Sequence, residues 1–236
     1  MNSRPDGADG EPHASATLFG SVQRIVLVGS NWQFARHLAL QFPRGADANH
    51  FLSRLKAAGL GPTSACECKP KMQVSLGLSR RGLENVNVPR HIMACFALKA
   101  PAFFAGAHVR AGRHLSASDE SSARHWEEVF DFTRLDAVFS VHGCDRTLLD
   151  KTLRDVETLA LECRIGTREF VAPERMDKAP DGEESAPDAS WVHFGYRDGL
   201  SRTAILGWTH PDRLDQYKPR SRHAAGEFLL GLPQDW

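Results

Sequence analysis

One carboxylate in this sequence is enclosed by two glycines and surrounded by aromatic and apolar residues. The stretch Ser190–Trp208 reads SWVHFGYRDGLSRTAILGW, and in it Gly195 and Gly199 bracket Asp198. Glycine allows backbone conformations closed to other residues and a close approach to a ligand. Apolar surroundings disfavour the charged form of a carboxyl group, which suits it to proton transfer. The pattern therefore indicates an acid–base site at Asp198, with an Asp-Gly turn as the alternative.

The cysteines form neither a disulfide framework nor a strong metal-binding pattern. They are Cys66, Cys68, Cys95, Cys144 and Cys163. Cys66 and Cys68 have C-x-C spacing, but a structural zinc site needs a second pair or an ordered histidine partner. An odd and scattered set also argues against disulfide bonds. We therefore interpret these residues as loop cysteines.

Length and composition indicate a soluble globular protein. The chain has 236 residues, 42% of them hydrophobic, and its 29 basic and 29 acidic residues give a formal net charge of zero. A balanced charge gives no support for a nucleic-acid partner. The sequence has no apolar run long enough to span a membrane, and its start has neither an apolar signal segment nor a twin-arginine pair. We expect a cytoplasmic protein in which residues 1–20 form a disordered tail.

Hydrophobic periodicity predicts four strands and two main helices. The predicted strands are Gln23–Ser30, Lys71–Ser79, Leu135–Gly143 and Cys163–Ala172. The first helix follows Asp47 as N-cap and stops near Gly59, and the second follows Asp145. Between the second and third strands, a short helix stopped by Pro89 precedes an apolar, partly helical segment.

The order of these elements indicates the fold class. A strand, a helix, a strand, a helical insertion, a strand, a helix and a strand form the split βαβ or ferredoxin-like pattern. This α+β architecture has an antiparallel sheet with helices on one face. An acidic, proline-rich segment at 173–190 reads as a solvated loop that leads into the stretch around Asp198.

The run HFGYRDGLSRTAILG, residues 193–207, resembles the G-x-x-D-G signature of dye-decolorising peroxidases. The longer family pattern is approximately hFGFxDGhSxPxIxG, where h is apolar, and this chain has Thr203 where proline is common. Four more segments also resemble the family: VQRIVLVGS, VSLGLSRRGLENVNVP, FFAGAHVRAGRHLSASDESSARHW and GEFLLGLP. The resemblance covers residues 21–233.

The resemblance implies a domain organisation. Family members have two ferredoxin-like halves in a dimeric α+β barrel-like arrangement, with haem b between them. This chain resembles the first half and the linker. We therefore expect an N-terminal peroxidase domain at 21–205, and at 206–236 a linker with the first strand of a second half that this chain does not contain.

The resemblance also implies a haem-dependent peroxidase that uses hydrogen peroxide as oxidant and an aromatic or dye-like reductant. Asp198 would be the distal acid–base residue. The residues expected to contact haem are Gly195, Gly199, Leu200, Ser201 and Arg202, with Arg202 available to a propionate. The proximal histidine is expected in the second half, so no residue of this chain is assigned to iron. His193, His210 and His223 are interpreted as surface or hydrogen-bonding histidines.

An incomplete haem site leaves a second hypothesis open. The chain would then be a non-catalytic, degenerate half-domain that acts as an interaction module or binds a small molecule. The sheet face that the absent second half would otherwise cover would be the contact surface. Under either hypothesis, we expect a homo-oligomer or a complex with a complementary second-half chain, and no membrane contact.

Overall fold

The computed structural model describes residues 19–27, 32–43, 46–67, 70–114, 122–130, 134–170, 190–191, 197–198, 203–209 and 211–229. Within these residues the main element is a four-stranded antiparallel sheet. Its strands are β1 (Phe34–Gln41), β2 (Met72–Leu78), β3 (Ala137–Gly143) and β4 (Gly166–Phe170). They lie in the order β2-β3-β1-β4, which is the ferredoxin-like order, so the predicted fold class is confirmed.

The position of the first strand was predicted wrongly. The segment after Gln23 forms a short helix, α1 (Arg24–Leu27), and β1 begins at Phe34. The Gln23 side chain satisfies the outer edge of β2, because its amide nitrogen donates to the Leu76 carbonyl and its amide oxygen accepts from the Leu76 N–H. The segment around Gln23 therefore lies at a sheet edge. The less apolar sequence FARHLALQ forms β1, which pairs between β3 and β4 in the sheet centre.

Two long helices cover one face of the sheet, as predicted. Helix α2 (Ala48–Ala57) begins at Asp47, whose carboxylate accepts from the His50 N–H at 2.8 Å. Between β2 and β3 lie α3 (Arg80–Asn85), α4 (Arg90–Lys99), α5 (Pro101–Ala105) and α6 (Ala107–His114). Helix α7 (Arg146–Glu162) begins at Asp145, which caps the Leu148 N–H at 3.1 Å.

The main core lies between these helices and the inner sheet face. Alternate residues of each strand point to the same face, so every second residue of β1, β2 and β3 enters this core. It includes Leu38, Leu40, Phe51, Leu55, Val74, Phe139, Val141, Leu149, Leu153 and Val156.

A buried carboxylate ties the helical insertion to the sheet. Asp136 has no exposed surface and lies immediately before β3. It accepts hydrogen bonds from the Phe42 N–H at 2.6 Å and the Asn85 amide at 2.8 Å, and it pairs with Arg81 at 3.3 Å. A side chain at Gly82 would collide with the Asp136 carbonyl, so α3 packs directly on this backbone.

Residues 203–229 form a smaller unit beside the start of the described chain. Strand β7 (Ala204–Leu206) pairs in parallel with β8 (Arg222–Ala224). Ile205 and Trp208 join Phe19 and Ala65 in a second core. The predicted domain boundaries near 20 and 205 stay predictions, and residues 1–18 of the expected tail lie outside the described residues. None of the helices in the described ranges is long and apolar enough to cross a bilayer.

Candidate functional site

The stretch that carries Asp198 contains a two-residue hairpin ladder. Strand β5 (Ser190–Trp191) pairs antiparallel with β6 (Arg197–Asp198), so Ser190 lies opposite Asp198. The structure therefore describes the main chain at Asp198. The other predicted site residues, Gly195, Gly199, Leu200, Ser201 and Arg202, lie outside the described residues.

This ladder gives Asp198 a fixed place in the local chain. The connection between the two strands is 192–196, so Gly195 belongs to the connection, whereas Asp198 follows it on an extended strand. Asp198 is therefore not a residue of that connecting loop. An Asp-Gly turn that begins at Asp198 would fall on residues beyond the described ladder, so the turn alternative stays open.

The chain that follows Asp198 is anchored in the second core. The Ile205 N–H donates to the Thr209 hydroxyl at 3.0 Å, and Gly207 has a φ of +83°, a conformation that favours glycine. The ring of Trp208 packs against that of Phe19 with centroids 5.0 Å apart. Ile205 and Trp208, a few positions beyond Asp198, are thus held by packing in the second core.

His223 lies nearby in the sequence and has a partner that orients its ring. Its Nδ1 atom lies 2.9 Å from the Glu227 carboxylate, which leaves Nε2 without a partner among the described residues. This contact agrees with the interpretation of His223 as a hydrogen-bonding histidine. The same Glu227 also accepts from the Ala224 N–H at 3.3 Å, so the pair serves local structure as well.

A polar cluster that the sequence analysis did not predict lies on the sheet face away from α2 and α7. Strand register places Gln73 opposite His142, and Ser140 opposite His37. The His37 Nδ1 atom lies 2.7 Å from the Ser140 hydroxyl, and its ring stacks on Phe170 with centroids 5.1 Å apart. The alternating polar residues of SVHG in β3 could have indicated a polar sheet face. The cluster could not be predicted from them, because its His37 lies on β1, whose position was predicted wrongly.

Burial keeps the imidazoles of this cluster neutral. Desolvation, with a smaller contribution from the neighbouring His142, lowers the pKa of His37 from 6.5 to about 4. Desolvation also lowers the pKa of His142. Removing a charged imidazolium from water costs free energy, so each ring has an available lone pair near neutral pH.

An open groove of about 800 Å³ lies on the helical insertion. Its lining includes Arg80, Arg90, Met93 and Phe104. The Arg80 guanidinium lies over the Phe104 ring, 5.3 Å from the centroid, and also pairs with Glu84 at 3.0 Å. The groove is lined by both charged and apolar side chains and has a size that small ligands use.

Comparison with solved structures finds dye-decolorising peroxidases. A crystal structure of such an enzyme matches with a TM-score of 0.60 and 22% identity over 82% of this chain and 39% of that chain. A dye-decolorising peroxidase in complex with 2,6-dimethoxyphenol matches with a TM-score of 0.60 and 20% identity, over 92% of this chain and 44% of that chain. An ancestral D-type dye-decolorising peroxidase matches with a TM-score of 0.62 and 18% identity, again over 92% of this chain and 44% of that chain.

These matches establish a shared fold. This chain spans about two-fifths of the length of those enzymes. No family model matches the sequence, and no curated protein matches it.

Proposed function

We propose that this chain is one ferredoxin-like half of a dye-decolorising haem peroxidase, with Asp198 as its distal acid–base residue. The observation that carries the proposal is a combination of two features. The four-stranded ferredoxin-like sheet of this chain, in the order β2-β3-β1-β4, resembles the fold of solved enzymes of that type, with a TM-score of 0.62 for one of them. The same chain then carries the G-x-x-D-G sequence, with its aspartate on a hairpin strand.

Asp198 would move a proton during peroxide cleavage. Its carboxylate would accept the proton of hydrogen peroxide and return it to the departing oxygen, which needs a group within hydrogen-bond reach of both oxygens. Haem b, when bound, would supply peroxide binding and the redox chemistry. Gly195 and Gly199 would allow the backbone close to the cofactor, and Arg202 would pair with a propionate.

The substrates follow from the same proposal. Hydrogen peroxide would be the oxidant, and an aromatic or dye-like compound would be the reductant. One solved enzyme that shares the fold was obtained with 2,6-dimethoxyphenol, which makes this phenol a suitable probe. We assign the iron ligand to a second ferredoxin-like half, contributed by a separate chain or by the rest of a longer protein.

A haem titration tests this proposal. The purified chain is titrated with haem b alone, and then together with the second half of a dye-decolorising peroxidase, while the Soret band is followed. We expect a shifted Soret band, and peroxide-dependent oxidation of 2,6-dimethoxyphenol, when both halves are present. Absence of both signals in the mixture would overturn the proposal.

A second candidate function is a non-catalytic interaction module. The observation that favours it is the Gln73 amide on the sheet face away from α2 and α7, which is buried and has no hydrogen-bond partner among the described residues. A contacting chain could supply the missing partner. Sedimentation of the haem-free chain tests this function, because a monomer across the micromolar range would count against self-association.

A further inference from the structure

The polar cluster on the sheet face away from α2 and α7, formed by Gln73, His37, Ser140 and His142, has no role in the peroxidase proposal. We propose that His37 and His142 bind one divalent transition-metal ion of the Zn²⁺ and Cu²⁺ class, with the Gln73 amide oxygen as a third ligand. This inference does not rest on the haem proposal, because its residues lie on β1, β2 and β3 and not on the hairpin of Asp198.

The two imidazoles lie at a separation that a shared metal would use. Their ring centroids are 5.7 Å apart, and the ring planes are nearly perpendicular. Two imidazoles that bind one ion through bonds of about 2.0–2.1 Å have centroids about 5 to 6 Å apart. Both come from adjacent strands at diagonal register positions, since His37 pairs with Ser140 and His142 pairs with Ala35. A rotamer change of His142 would therefore bring both rings onto one ion.

The His37 ring is held in a fixed orientation. Its Nδ1 atom is engaged with the Ser140 hydroxyl at 2.7 Å, and Phe170 stacks on the ring at an interplanar angle of 13°. Nε2 is thereby left as the nitrogen available to a metal. A hydrogen bond to the second ring nitrogen is the usual support of a metal-bound histidine, because it fixes tautomer and orientation.

Gln73 supplies an independent indication of a ligand. Its side chain is 1% exposed, and within the described part of the chain neither Nε2 nor Oε1 has a hydrogen-bond partner. The β2–β3 register places it directly opposite His142, where side chains on one face lie within contact distance. Buried amides are normally satisfied, so an unpartnered one beside two histidines indicates a bound species that the amide oxygen coordinates.

The donor set selects the class of ion. Imidazole nitrogen suits Zn²⁺, Cu²⁺ and Ni²⁺, whereas Mg²⁺ and Ca²⁺ prefer carboxylate-rich sites. The described residues hold no group of three or more histidine, cysteine or acidic side chains, so the two imidazoles need the amide oxygen and water to complete the coordination. The nearby Arg168 is paired with Glu128 at 2.8 Å, so its charge is partly balanced.

Calorimetric titration with Zn²⁺ alone tests the site on the full chain after chelator treatment. We expect one high-affinity site per chain. His37→Gln and His142→Gln should each weaken it by about 10- to 100-fold. His91→Gln is the matched control, because His91 is exposed on α4, and it should leave the affinity unchanged. Equal affinity in all three variants, or no site in the wild type, would overturn the proposal.

Electron paramagnetic resonance of the wild-type chain with one equivalent of Cu²⁺ gives a second readout that does not depend on variant folding. We expect hyperfine coupling to two imidazole nitrogens. A spectrum with coupling to fewer than two imidazoles would contradict the assignment. Circular dichroism of each variant confirms that lost Zn²⁺ binding does not reflect lost structure.

Discussion

The two faces of the four-stranded sheet are built from alternate residues of the same strands, yet their chemistry differs. On β2, Val74 enters the main core beneath the helices, while its neighbour Gln73 lies on the opposite face. On β3, Val141 likewise enters the main core, and His142 lies on the opposite face beside His37. Since each step along a strand changes face, one face can provide stability while the other carries polar groups. Substitutions on the two faces should therefore have separable effects.

The largest effect is expected on the helix-covered face. Phe139 is 1% exposed at the centre of the main core, so Phe139→Ala leaves a cavity among packed side chains. We expect the free energy of unfolding to fall by about 3–5 kcal/mol, measured by urea denaturation. Leu98→Ala is the control, because Leu98 is 83% exposed and should change stability by less than about 0.5 kcal/mol. Similar losses in both variants would contradict the assignment of the core.

A smaller loss of stability is expected when acid protonates the histidines on the sheet face away from α2 and α7. The pKa of His37 is lowered from 6.5 to about 4 in the folded chain, so between these pH values the unfolded chain binds more protons. The free energy of unfolding should therefore fall as the pH decreases from 6.5 to 4, and be unaffected by this group above pH 6.5.

Denaturation of His37→Gln across this pH range measures that contribution. We expect a shallower loss of stability than in the wild type, with a remaining slope from His142, whose pKa is also lowered. An unchanged slope in His37→Gln would show that this imidazole is not buried as the structure has it.

The smallest stability effect is expected at Gln73. Replacement by leucine removes two buried polar atoms that have no partner, and a buried unsatisfied group costs about 1–3 kcal/mol. We expect Gln73→Leu to raise the free energy of unfolding by about 1 kcal/mol in the metal-free chain. A loss of more than about 1 kcal/mol would mean that the amide makes stabilising contacts that the described residues do not include.

The comparison of the faces also explains what the sequence could predict. Helix α7 and strand β3 were predicted because the former has a capped apolar stripe and the latter an apolar period of two. Strand β1 was missed because its outward positions include His37 and alanine, whereas the apolar run after Gln23 protects the edge of β2. Local hydrophobicity does not distinguish a central strand from a segment that covers a sheet edge.

The candidate sites show the same limit. Asp198 could be identified from the sequence because Gly195 and Gly199 lie within three positions of it. Its hairpin ladder could not be predicted, because two paired residues on each strand are too few for a periodic pattern. The cluster of Gln73, His37 and His142 joins three strands, so its members meet only through strand register. No spacing within the sequence encodes that register, which depends on packing of the whole sheet.

The most direct measurement of the central claim is the steady-state oxidation of 2,6-dimethoxyphenol by Asp198→Asn and Asp215→Asn, each loaded with haem b and completed with a second half. Asp215 is an exposed aspartate further along the chain and serves as the matched control. We predict equal Soret bands, with turnover lowered about 10²- to 10⁴-fold in Asp198→Asn and unchanged in Asp215→Asn. Equal turnover in the two variants at equal haem content would contradict the role of Asp198 as the acid–base residue.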